Sequence, residues 1–75
     1  MSQHEIPTTG ANLKALKILA QMGEYVEAHR RNRGGPPPAI TVSEWQANIL
    51  SRHLRQHDLN LEECCFQGLR IRVPR

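Results

Sequence analysis

Leu69-Arg70-Ile71-Arg72-Val73 alternates aliphatic and cationic side chains without a break, and the reading of residues 69–73 decides the fold class. Successive side chains of a strand point to opposite sides, so this run turns Leu69, Ile71 and Val73 inward and leaves Arg70 and Arg72 outside. A helix would scatter the same five residues around its axis. Pro74 ends the strand by removing a ladder donor. Just upstream, Gln67-Gly68 predicts a tight turn and Cys64-Cys65-Phe66 its first strand, although Gln67 suits the primed hairpin turns poorly.

Further back, Trp45, Ile49, Leu50, His53 and Leu54 trace one helical face over about Glu44 to His57. Ser43 followed three residues later by Gln46 is a capping-box pattern, and Glu44 suits the positive end of the helix dipole. Ala39-Ile40-Thr41-Val42, rich in β-branched residues, reads as a short strand before that helix. Leu59 and Leu61 suggest a brief extended segment after it. Pro36-Pro37-Pro38 fixes φ and removes three donors, so residues 34–38 form a stiff connector.

A second amphipathic helix is predicted from about Gly10 to Arg31, with Thr9 as N-cap and Leu13, Leu16, Leu19, Met22 and Val26 on its apolar face. Arg30, Arg31 and Arg33 face the negative end of that helix, Gly34-Gly35 supplies its left-handed stop, and Gly23 marks a close contact or a bend. Residues 1–9 are polar and aperiodic and read as a flexible arm, leaving residues 10–75 as one small domain. The expected architecture is α+β. Two helices pack on a small mixed sheet in two layers, as a β-α-β-β unit with an N-terminal helix. The expected core is Leu13, Leu16, Leu19, Met22, Val26, Ile40, Val42, Trp45, Ile49, Leu50, Leu54, Leu61, Phe66, Leu69, Ile71 and Val73.

A chain of 75 residues is too short to enclose a large active site. Its apolar content of 39% and charged content of 23% are those of an ordinary globular chain rather than a disordered or fibrous one. The apolar runs are too short for a signal-peptide core or a membrane span, so no membrane partner is expected. Adjacent Cys64 and Cys65 close no useful loop as a disulfide, which predicts thiols and a reducing, cytoplasmic setting. Free sheet edges in so small a domain favour a homodimer.

Eight of the ten cations are arginines, the net charge is +3, and the isoelectric point is near 9.4. Arg52 and Arg55 on the second helix, Arg70 and Arg72 on the last strand, and Arg30, Arg31 and Arg33 at the end of the first helix form a basic binding surface if they converge. Tyr25, Trp45 and Phe66 are too scattered to make the aromatic platform that single-stranded or RNA targets need. The proline connector also separates the helices too far for a helix-turn-helix.

His53 and His57, four apart on one helix, have metal-ligand spacing, and Cys64 and Cys65 follow closely. Adjacent cysteines on an extended chain point in opposite directions, so the four do not converge on zinc. The simpler reading has His53 packed at the helix edge, His57 favourable at the helix C-terminus as a cation, and one cysteine buried as a small apolar group. A Cys-His nucleophile pair would need an orienting group and an oxyanion site that spacing does not supply. Glu62-Glu63 and the Glu24/Glu27 pair read as solvated charges rather than acid-base machinery.

Ile40-Thr41-Val42-Ser43-Glu44-Trp45 with its capped helix, and then Phe66-Gln67-Gly68-Leu69-Arg70-Ile71-Arg72-Val73-Pro74, resembles small proteins encoded by bacteriophages and prophages. The resemblance covers about residues 39–74, supplies no site residues, and implies an accessory protein that grips a host protein or nucleic acid. The expected function is therefore a non-enzymatic, cofactor-free module that binds an acidic surface of a partner protein as inhibitor or adaptor. The alternatives are an Arg-faced DNA- or RNA-binding protein and a zinc- or Cys-dependent one.

Overall fold

The computed structural model describes residues 4–74. In chain order the elements are β1 (His4–Glu5), α1 (Leu13–Arg33), β2 (Ala39–Thr41), α2 (Glu44–Arg55), a 3-10 turn (Leu61–Glu63), β3 (Cys64–Phe66) and β4 (Leu69–Arg72). The four strands form one mixed sheet in the order β1-β3-β4-β2. β3 and β4 are the antiparallel hairpin, while β1 runs parallel to β3 and β2 parallel to β4. The expected α+β arrangement of two helices on a small mixed sheet is the observed one, with one strand more than anticipated.

That strand is the main correction. His4–Glu5 pairs with Cys64–Cys65, Ile6 donates its N–H to the Cys65 carbonyl at 3.0 Å, and the Ile6 side chain is buried in the core. The part of the expected flexible arm at residues 4–9 is thus built into the fold; residues 1–3 lie outside the described residues. A two-residue strand has no alternation to read, and only its distant partner reveals it.

α1 starts later than its apolar periodicity suggested. Asn12, not Thr9, is the N-cap, its side-chain oxygen accepting from Ala15 N–H at 2.9 Å. The helix ends where Gly34, at φ 77, donates back to the Arg30 carbonyl at 2.8 Å, a left-handed stop that glycine adopts without strain. α2 carries the full capping box. Gln46 N–H donates to the Ser43 hydroxyl at 3.4 Å, and Ser43 N–H donates to the Gln46 side-chain oxygen at 2.9 Å. The hairpin closes through Gln67 and Gly68, both with positive φ (51 and 79), as a primed turn requires. The segment after α2 winds into the 3-10 turn rather than running extended.

The core lies between the helices and the inner sheet face. Ile6, Ile18, Leu19, Met22, Val26, Ile40, Val42, Ala47, Leu50, Leu54 and Cys64 form it, with Ile49, Leu59, Leu61, Phe66, Leu69 and Ile71 packed half-buried against it. Gly23 is not the close approach its position suggested: a Cβ there would sit in ordinary van der Waals contact with the Phe66 ring, at 3.9 Å. Leu13, Leu16, Trp45 and Val73, expected in the core, are exposed. On α1 two overlapping stripes satisfy the helical period, and the fold buries the one through Ala15, Ile18, Leu19, Met22 and Val26.

A candidate anion-binding face on the open sheet

With both helices on one side, the other side of the sheet is left uncovered, and the strand register fixes what it displays. Arg70 stands between Cys65 on β3 and Ala39 on β2, and Arg72 stands beside Thr41. Residues paired in register share a face, so Arg70 and Arg72 project together from the open side, about 6.6 Å apart along the strand. Both are exposed, as is Thr41, while Leu69 and Ile71 between them turn inward. Their register neighbours Ala39, Thr41 and Cys65 are small, Cys65 being buried among the side chains around it, and among the described residues neither arginine is held in an ion pair. On the far edge Glu5 is register partner to Cys65, and its carboxylate accepts from Gln67 N–H at 2.8 Å, which fastens β1 to the hairpin turn.

The seven arginines singled out in the sequence do not gather on one surface. Arg70 and Arg72 come together. Arg52 lines a groove with Asn12, Leu13, Lys14 and Ile49, between α2 and the start of α1. Arg55, three residues on, lines a different groove of about 560 Å³ that is floored by Leu61, Ile71 and Val73 and also carries Glu62. Arg30, Arg31 and Arg33 stay in the last turn of α1. The helix that carries Arg52 and Arg55 packs on the inner side of the sheet, so their distance from the β4 pair follows from the two-layer build.

The histidines and cysteines have structural partners instead of a common centre. His53 is buried and its Nε2–H donates to the Pro7 carbonyl, while His57 Nε2–H donates to the Thr9 carbonyl at 2.9 Å. The two rings meet edge to face at 5.1 Å. Cys64 turns into the core and Cys65 toward the open face between Glu5 and Arg70; both are free thiols. Burial pushes the Cys64 thiol above its ordinary range, and the charges at Cys65, Glu63 and Glu5 add to the shift. Among the described residues no three His, Cys, Asp or Glu side chains are grouped to hold a metal ion. His53 was expected at the helix edge; it is interior because the 4–9 segment, read as a loose arm, folds over it.

No helix among the described residues is long and apolar enough to cross a membrane. No family model, curated protein or solved structure matches the chain.

Proposed function

We propose that the chain is a non-enzymatic interaction module that docks an acidic surface of a partner protein on its open sheet face, as inhibitor or adaptor. The observation that carries this reading is the pairing of Arg70 and Arg72 on an uncovered face beside Ala39 and Thr41. Arginine presents a planar fork that engages carboxylates in two parallel hydrogen bonds, and two forks at strand spacing match neighbouring Asp or Glu side chains on a flat surface. A protein target is favoured over nucleic acid by the side chains around the pair. Trp45 and Tyr25 are exposed on the helix layer and Phe66 packs inward, so no ring on this face is available for a base to stack upon.

Retention of the chain on immobilised poly-glutamate and on single- and double-stranded DNA, across a salt gradient, tests the reading. Binding to the acidic polypeptide that is lost in the Arg70→Glu/Arg72→Glu variant supports it. Tight, steeply salt-dependent retention on DNA with none on poly-glutamate replaces it with the nucleic-acid reading. Binding that the double variant leaves unchanged removes the sheet face as the site.

A further inference from the structure

On the opposite side of the molecule, the helix layer exposes apolar surface that the fold does not use. Leu13 is 66% exposed, Trp45 59% and Tyr25 49%. Tryptophan and tyrosine left this open on a small domain are the anchors that interfaces bury. The layer has a definite polarity. Leu13 and Lys14 share a groove with Ile49 and Arg52, and eight residues from Leu13 along α1, Gln21 accepts from the Gln46 side-chain amide at 3.4 Å. The helices therefore run in opposite senses, with this glutamine pair between two dissimilar ends. Before it on α1 and after it on α2 lie Leu13, Lys14, Lys17, Ile49 and Arg52. Beyond it lie Glu24, Tyr25, Glu44 and Trp45.

One end of the layer is thus cationic and the other acidic, each with its own apolar anchors. We propose that this surface is the interface of a homodimer, in which a second copy lies across it with a two-fold axis at the Gln21–Gln46 contact. An isologous interface must be complementary to itself under that rotation. Here the rotation brings Glu24 of one protomer opposite Lys17 of the other, leaves Glu44 and Arg52 within reach of each other's long side chains, and turns Tyr25 and Trp45 toward the apolar surface of Leu13 and Ile49. A partner of one charge sign would meet repulsion at one end, and a two-fold copy meets it at neither. Arg30, Arg31 and Arg33 lie in the last turn of α1, past the acidic end. The dimer joins helix layer to helix layer, so the two Arg70/Arg72 faces point away from each other and the assembly has two outward docking surfaces. The interface itself stands independently of what those faces bind.

Sedimentation equilibrium of the full chain across a concentration series at low salt, with the emission of its single tryptophan recorded alongside, tests the proposal. A mass twice that of the monomer is expected, with Trp45 emission shifting to the red on dilution. Lys17→Glu/Arg52→Glu weakens association roughly tenfold or more, and adding Glu24→Lys/Glu44→Lys to the same chain restores it. The restored dimer also shows that the reversed chain still folds. A monomer at every concentration, or a dimer indifferent to the first pair of substitutions, overturns the proposal. Arg70→Glu/Arg72→Glu leaves the mass unchanged, which keeps this outcome separate from that of the sheet face.

Discussion

The buried His53 ring donates through Nε2 to the carbonyl of Pro7, 46 residues earlier in the chain. Proline has no N–H of its own, and the chain between Ile6 and α1 has few other partners to hold it. A carbonyl only accepts, so the hydrogen sits on Nε2 in this contact, and the buried Nδ1 has no partner among the described residues. Edge strand β1 is only two residues long, and this bond, with His57 to Thr9, ties its exit to α2.

His53→Leu keeps the volume apolar but leaves the Pro7 carbonyl without its donor. The half-buried carbonyl left unpaired costs about 1–2 kcal/mol, net of the relief from removing the unpartnered Nδ1. Urea unfolding should show a loss of that size, with amide exchange at Ile6 accelerating more than exchange in the middle of α1. His57→Ala, at a half-buried position, should lose under about 1 kcal/mol. Equal losses for the two variants would mean that His53 does not fasten the N-terminal segment.

The hairpin turn holds a residue ill suited to it. Gln67 sits at φ 51, in the left-handed region where a Cβ is disfavoured, and its backbone N–H but not its side chain contacts Glu5. Asn adopts that conformation more readily, and Asn-Gly is the favoured pair for such turns. Gln67→Asn should therefore stabilise the domain by about 0.5–1 kcal/mol in thermal unfolding. A destabilised variant would show that the turn is not held in the primed geometry.

Legibility in the sequence followed the locality of each signal. β4 and the α2 cap were plain, because strict alternation and a Ser-to-Gln spacing of three are set by neighbours along the chain. α1 was legible as a helix but not in its orientation. Leu13 and Leu16 outweigh Ala15 in any apolar sum, yet the fold buries the stripe through Ala15, Ile18, Leu19, Met22 and Val26. β1 and the burial of His53 depend on pairing between residues some sixty and forty-six positions apart, which no local pattern carries. The candidate site divided the same way. Arg70 and Arg72 were readable as a pair from the strand period, whereas the separation of Arg52 and Arg55 into two grooves depends on how α2 lies on the sheet.

Cys64 sets an upper pH limit. Its thiol lies in the core and is held above the ordinary value of 9.0, so the folded chain retains a proton that the unfolded chain releases. A raised folded value gives stability that is complete below the unfolded pKa and lost as pH rises through it toward the folded one. Unfolding free energy should accordingly hold level on the approach to pH 9 and decline above it, and Cys64→Ala should flatten that decline. Iodoacetamide at neutral pH should label native Cys64 far more slowly than the denatured chain does. Rapid labelling in the native state would show that the thiol is open to solvent.

Arg70 and Arg72 are exposed, unpaired among the described residues, and unneeded by the core. Their replacement should separate binding from folding. Arg70→Ala and Arg72→Ala should each shift unfolding by no more than about 0.5 kcal/mol, since neither side chain fills a cavity or satisfies a buried partner. Each should weaken binding to an acidic polypeptide by a similar factor and reduce its salt dependence, because the two occupy equivalent rows of one strand. Arg31→Ala, in the last turn of α1 and outside both the β4 face and the helix-layer interface, should leave that binding as it was. If Arg31→Ala weakens it as much as the β4 substitutions do, the acidic partner reaches around the sheet edge and the docking surface is wider than the open face.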